Sequence, residues 1–155
     1  MRPIKLELQG FTSFRERCEI DFSKLDLFAI TGPTGAGKSS LLDAITYALY
    51  GRTERLGKSG RELISSDAPA MQLTFEFKAG PEVYRIFRRV KPATATVRLE
   101  KKEPDGSWTS LTSAIKHMEE EIVRLVGLEF DAFTRAVILP QTPTRPAAQF
   151  LLPCA

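Results

Sequence analysis

Leu27-Phe28-Ala29-Ile30-Thr31-Gly32-Pro33-Thr34-Gly35-Ala36-Gly37-Lys38-Ser39-Ser40 passes from an apolar run directly into a glycine-rich one. The first five residues have the form expected of a short strand buried on both faces. Gly32 to Ser39 then follows the pattern glycine, four residues, glycine, lysine, serine, which is a phosphate-binding P-loop. Glycines at 32, 35 and 37 permit backbone angles closed to other residues and let main-chain N–H groups approach phosphate oxygens. Pro33 has no N–H, so the anion cradle must come from Thr34, Gly35, Ala36 and the residues after them. The helix that follows adds unpaired N–H donors and a favourable dipole. In such a loop Lys38 bridges the β- and γ-phosphates of ATP, the Ser39 hydroxyl ligates Mg²⁺, and Ser40 can donate to the α-phosphate.

Outward from the loop, Leu41, Leu42, Ile45, Ala48 and Leu49 fall at helical intervals, and Gly51 supplies a stop. Upstream, residues 4–9 alternate apolar and polar as a strand with one buried face, and residues 19–22 can pair with it. Residues 52–69 are polar and basic and read as a surface connection with a helical turn at 61–64. Strands are expected at 71–78, 82–90 and 96–102, with a short one around 108–111 after the turn signal Pro104-Asp105-Gly106. The result is an antiparallel meander inserted after the first helix. Thr112 or Ser113 can cap a helix running to Val126 and stopped by Gly127, with Glu119, Glu120 and Glu121 on a solvated face. Residues 131–134 suggest a short turn, residues 136–139 a buried strand, and 142–155, with three prolines, an unstructured end. The expected organisation is therefore one unit over 1–141 and a divergent tail over 142–155.

A length of 155 residues suits one domain, and 43% hydrophobic with 26% charged residues is ordinary globular composition. No stretch is long and apolar enough to span a bilayer, and the charges at Arg2, Lys5 and Glu7 do not suit a signal peptide. A cytoplasmic setting is expected. Cys18 and Cys154 are too few and too far apart for a zinc site or a disulfide framework. The net charge of +3 is mild, but from residue 85 to 102 seven basic side chains stand against Glu100 alone. Arg85, Arg88, Arg89, Lys91 and Arg98 suit either sequence-independent contact with nucleic-acid phosphates or a solvated sheet face. Alternation puts Arg85 and Arg89 with Val83 and Phe87, and Arg88 on the other face with Tyr84, Ile86 and Val90, so they form no single stripe. His117 is the single histidine and falls on a helix surface.

The loop does not choose among P-loop classes, so the remaining motifs decide. The sequence has no asparagine, hence no Asn-Lys-x-Asp guanine reader, and no Asp followed by Gly three positions on, which argues against a GTPase. No run of four apolar residues ends in Asp, so the Walker B carboxylate that hydrolytic enzymes use with Mg²⁺ is absent. The chain can hold ATP but lacks a full hydrolytic set.

The stretch from Leu27 to Ile45 with its Leu41-Leu42-Asp43-Ala44-Ile45 ending, then Ala48-Leu49-Tyr50-Gly51, closely resembles the N-terminal ATPase half of the SbcC family, the bacterial SMC-like double-strand-break-repair ATPases. Gly10-Phe11-Thr12-Ser13-Phe14 and Phe133-Thr134-Arg135-Ala136-Val137-Ile138-Leu139-Pro140-Gln141 resemble it too. The resemblance implies an α/β fold: a P-loop NTPase of ABC-ATPase head type, N-terminal half, carrying an antiparallel meander and incomplete as a head. It implies that Gln141 is the Q-loop residue that contacts Mg²⁺ and the attacking water, and that Thr12 and Ser13 lie near the nucleotide. It further implies a second head, a C-terminal half, an SbcD-like nuclease subunit and double-stranded DNA as partners, bound without sequence preference.

The family pattern continues after that glutamine with Gly-x-Phe-x-x-Phe-Leu, a long coiled coil with a Cys-x-x-Cys hook, and a C-terminal half with signature, Walker B and switch-histidine elements. Here Thr142-Pro143-Thr144-Arg145-Pro146 follows, and only Phe150-Leu151 echoes it, which suggests a frameshifted, truncated or fragmentary product. Two other readings stand beside the ATPase subunit: a non-catalytic nucleotide-binding fragment, and a small P-loop kinase with residues 52–61 as its arginine-rich lid.

Overall fold

Alternation builds the sheet. In the segment from Met71 to Ala79 the odd-numbered positions Met71, Leu73, Phe75, Phe77 and Ala79 are buried, while Gln72 and Lys78 between them are exposed. The computed structural model describes residues 1–25, 29–54 and 60–137. Its strands are β1 (Arg2–Gln9), β2 (Cys18–Asp21), β3 (Met71–Ala79), β4 (Glu82–Val90), β5 (Ala95–Lys102) and β6 (Trp108–Thr112), in the spatial order β2-β1-β3-β4-β5-β6. Every neighbouring pair is antiparallel. The meander β3 to β6 thus agrees with the sequence reading, and β1 joins it at the edge of β3.

Register places the large side chains of one face together. Phe77 pairs with Tyr84 and Phe75 with Ile86, with ring centroids of Phe75 and Phe77 5.6 Å apart and of Phe77 and Tyr84 5.7 Å apart. Such cross-strand pairs each contribute about 0.2–1 kcal/mol beyond an alanine pair. Across the opposite face lie Lys5, Glu76, Arg85 and Glu100 in one row, with the ion pairs Lys5–Glu7 (2.8 Å) and Arg85–Glu100 (2.8 Å); Glu100 is buried and the other three are half-buried.

Helix α1 (Lys38–Tyr50) packs on the apolar face against β3 and β4. Leu41, Ala44, Tyr47, Ala48, Leu49 and Tyr50 are buried, so α1 is covered on more than one side. It ends where the sequence indicated: Gly51 adopts φ 68°, and its N–H donates to the Tyr47 carbonyl at 2.8 Å. A Cβ at that position would lie 2.9 Å from an Arg88 guanidinium nitrogen, so space as well as conformation demands glycine.

Helix α2 (Ile115–Val126) stops at Gly127 as expected, but begins later than a Thr112 or Ser113 cap would place it. Its N-cap is Ala114, and the Thr112 hydroxyl accepts the Ala114 N–H at 3.1 Å. The strand expected at residues 136–139 is corrected: Ala136 and Val137 close a third helix, α3 (Phe130–Val137), while Ile138 and Leu139 lie outside the described residues. The period explains it. Phe130, Phe133 and Thr134 are buried at helical spacing, and Asp131, Ala132, Arg135 and Ala136 are exposed.

Two further readings change. Ala29 to Thr31 belong to none of the described strands, and Ala29 is exposed, whereas a strand buried on both faces was expected; Leu27 and Phe28 lie outside the described residues. A two-faced strand needs paired neighbours, and the described sheet is completed by β2 and β6 without it. The 52–69 connection is also not simply superficial. Thr53, Gly60, Leu63 and Ser65 are buried, and the turn expected at 61–64 is a 3-10 helix at Gly60–Leu63.

Candidate nucleotide-binding site

The P-loop ends where α1 begins. Gly37 occupies the N-cap position with φ 81° and ψ 10°, a left-handed conformation, and no side chain caps the helix there. The first N–H groups of a helix have no intrahelical acceptor, so this end offers donors and the positive pole of the helix dipole to an anion. Two further bonds shape the loop: the Ala36 N–H donates to the Pro33 carbonyl at 3.2 Å, and the Leu41 N–H to Gly37 at 2.9 Å.

Lys38 is drawn back across the loop. Its Nζ donates to the carbonyls of Gly32 and Pro33, both at 2.7 Å. The ammonium is therefore held over the loop rather than extended into solvent. A concavity of about 310 Å³ is lined by Ser13, Thr34, Gly35, Gly37, Lys38, Ser39 and Ser40, with no acidic side chain among them. Larger hollows lie elsewhere. One of about 490 Å³ is flanked by Arg15, Asp67 and Arg89, another of about 530 Å³ by Arg52, Glu119 and Asp131, and neither has a glycine-rich helix start.

Ser13 reaches the loop from the far side of the sequence. Phe11 and Phe14 close a tight turn by exchanging backbone bonds of 3.0 and 2.8 Å, and Thr12 and Ser13 form its tip. A Cβ at Gly37 would sit 2.9 Å from the Ser13 hydroxyl and 3.1 Å from the Phe14 ring. Gly37 is required twice over, by its left-handed backbone and by this close approach. Thr12 does not line the concavity, and its Oγ1 is buried without a partner among the described residues. The structure thus brings Ser13 to Thr34, Gly35, Gly37, Lys38, Ser39 and Ser40; Gln141 lies outside the described residues.

The basic meander divides. Arg88 is corrected as a surface contact: it is 8% exposed, and its Nε and Nη2 donate to the carbonyls of Ala48 (2.7 Å) and Leu49 (3.0 Å). Its position among Tyr84, Ile86 and Val90 on the apolar face explains this, because a guanidinium there must find acceptors inside. Burial lowers its pKa to about 10, which leaves it charged at neutral pH. Arg85 is held by Glu100 and lies over Trp108 with 4.1 Å to the ring centroid, and Arg98 lies over Phe87 at 5.1 Å. Arg89, Lys91, Arg98 and Lys102 remain exposed. Arg52, expected in a kinase lid, instead pairs with Glu119 at 2.6 Å and covers Phe130 at 4.3 Å. Sequence reasoning missed Arg88 as an anchor of α1, although its place in the apolar alternation was the signal. Nothing local in the sequence pointed to Ser65, whose hydroxyl donates to the Thr12 carbonyl at 2.6 Å.

A glycine-rich loop opening a helix that packs on an antiparallel sheet defines part of an ABC-type ATPase head. The chain belongs to the family described as AAA domain, whose model matches residues 5–150. It is 50% identical over 145 residues to the SbcC component of the SbcCD nuclease of Deinococcus radiodurans, covering 91% of this chain and 16% of that protein. It is 36% identical over 145 residues to a probable DNA double-strand break repair Rad50 ATPase of Aquifex aeolicus, covering 91% of this chain and 14% of that protein. The chain therefore spans about a sixth to a seventh of the length of these relatives. Among solved structures, the recombination mediator protein RecF shares the fold with a TM-score of 0.57 at 17% identity, over 76% of this chain and 29% of that one. Among the described residues no helix is long and apolar enough to cross a membrane.

Proposed function

We propose that this chain is the nucleotide-gripping, N-terminal part of an SbcC-like ATPase head, serving a nuclease complex that processes DNA ends and hairpins. The observation that carries the reading is Lys38, fixed by the Gly32 and Pro33 carbonyls beside a concavity that, among the described residues, is lined by loop, helix start and Ser13. In this reading Lys38 neutralises the β- and γ-phosphates of ATP, and the N–H groups of Thr34, Gly35, Gly37, Lys38 and Ser39 hold the phosphate oxygens. Ser40 donates to the α-phosphate, and Ser13 closes the site opposite Gly37.

The residues fit Mg²⁺ as a nucleotide-borne ion. The described residues contain no cluster of three acidic, histidine or cysteine side chains that could hold a metal. A hard, reluctantly dehydrated cation keeps several waters, and the Ser39 hydroxyl would hold it beside phosphate oxygens. Bound there, the ion neutralises phosphate charge. Gln141 is assigned to the Mg²⁺ and attacking water on the family resemblance alone. Thr12 supports Ser13 rather than lining the concavity itself.

Hydrolysis in this reading needs groups that these residues do not supply. A C-terminal half contributes Walker B and signature elements, a second head closes the composite site, and an SbcD-like nuclease subunit receives the motion. The exposed Arg89, Lys91, Arg98 and Lys102 suit double-stranded DNA held through its phosphates. Steady-state ATPase measurement of the chain, alone and with the C-terminal half of an SbcC head, tests the assignment. The expected result is turnover only with both parts, abolished by Lys38→Ala. Turnover by the chain alone contradicts the composite site, and no turnover in the reconstituted pair favours a non-catalytic fragment.

A further inference from the structure

Thr12 is the one described non-glycine residue with positive φ, at 46°. For a β-branched residue that is an outlier, and its buried hydroxyl has no partner among the described residues. Such a conformation persists only where the surroundings impose it. The imposing bonds come from the last residue of the 3-10 helix and the segment just after it. The Thr12 N–H donates to the Leu63 carbonyl at 2.8 Å, and the Ser65 N–H donates to the Gly10 carbonyl at 2.9 Å. The Ser65 hydroxyl, on a residue only 4% exposed, donates to the Thr12 carbonyl at 2.6 Å. Ser65 is itself fixed, since its carbonyl accepts the Ala68 N–H at 2.9 Å.

We propose that Ser65 is a positioning residue for the nucleotide site: its bond to the Thr12 carbonyl locks the strained turn that holds Ser13 against the phosphate loop. This rests on the nucleotide-site reading above. The consequence is a coupling between two distant stretches of sequence. Any movement that draws Leu63 and Ser65 away lets Thr12 relax to negative φ and carries Ser13 out of the concavity. The nucleotide grip thereby depends on a segment that touches no nucleotide.

The test is a double-mutant cycle read as the Kd for Mg-ATP by calorimetry on the full chain. Ser65→Ala is expected to weaken binding about fivefold, the scale of one hydrogen bond. Because Ser65 acts through Ser13, adding Ser65→Ala to Ser13→Ala is expected to change Kd by less than about twofold, where independent sites would multiply. Thr12→Gly, which accepts positive φ without strain, is expected to restore most of the affinity lost in Ser65→Ala. If Ser65→Ala does not fold, Ser65→Cys keeps the volume with a weaker donor and enters the same cycle. Unchanged affinity in the Ser65 variants, or effects that multiply with Ser13→Ala, overturns the proposal. Failure of the unsubstituted folded chain to bind Mg-ATP overturns the nucleotide-site reading too, whereas intact binding with multiplying effects overturns only the role of Ser65.

Discussion

Arg88 and Arg89 are neighbours in sequence with opposite fates. Arg88 points inward and ends α1 by binding the Ala48 and Leu49 carbonyls, and its neighbour is exposed. Hydrogen bonds from a charged group contribute roughly 1.5–3 kcal/mol each, so Arg88→Met is expected to lower unfolding stability by about 3 kcal/mol. Arg89→Met is expected to change it by less than about 0.5 kcal/mol, as for an isolated surface site. Urea midpoints of the two variants decide the matter, and equal losses would show that Arg88 is not the anchor. Composition alone presented these residues as one basic cluster. Strand alternation separated their faces, yet it did not reveal that a charged side chain on the inner face had helix carbonyls within reach, because that depends on where α1 lies.

At the scale of elements, α1 and α3 are joined through Tyr50. Its hydroxyl donates to the Leu128 carbonyl at 2.8 Å, and its ring packs against Phe130 and Phe133 with centroids 5.7 and 5.4 Å away. Burial pushes its pKa up to about 12, with Glu119 adding to the shift and Arg52 opposing it. The folded state thus holds the proton more tightly than the unfolded chain, whose tyrosines titrate near 10. This stabilisation is complete below pH 10 and is lost as the pH rises from 10 through 12. Tyr50→Phe is expected to cost about 1 kcal/mol at neutral pH, the net worth of one hydrogen bond. It is also expected to flatten the decline in stability above pH 10, leaving the part due to Tyr47, whose pKa burial also raises. Denaturant melts at pH 8 to 11.5 measure both, and an unchanged alkaline slope would remove Tyr50 as its source.

The elements that short-range pattern specifies were legible: β1 and β3 to β5 by alternation, α1 by its period, and Gly51 and Gly127 by their place after apolar runs. Those decided by tertiary position were less so. Residues 136–139 are apolar enough for a strand, and the helical reading of Ala136 and Val137 came from Phe130 and Phe133 packing with Tyr50. In the candidate site, the glycine-rich loop at Gly32 to Ser39 was legible as a pattern because a P-loop motif constrains backbone and charge over eight contiguous positions. Ser13 was indicated by resemblance alone, and Ser65 by nothing, since a serine 26 residues beyond the loop's own Ser39 carries no local signature.

Across the whole molecule, one sheet carries α1 on its apolar face, and the turn from β1 meets the loop at the start of that helix. The parts meet at Gly37, with Lys38 immediately beyond it. Removing the ammonium leaves the described core untouched, since among the described residues Lys38 bonds to the loop carbonyls of Gly32 and Pro33. In the proposed site it would delete a charge-assisted contact to phosphate, so Lys38→Ala is expected to raise the Kd for Mg-ATP at least about 30-fold. Calorimetric titration of Mg-ATP into the folded chain, unsubstituted and as Lys38→Ala, is the direct measurement. Single-site binding by the first that is nearly lost in the second is the expected result; equal affinities, or no binding by the folded unsubstituted chain, would contradict a nucleotide site at Gly32 to Ser39.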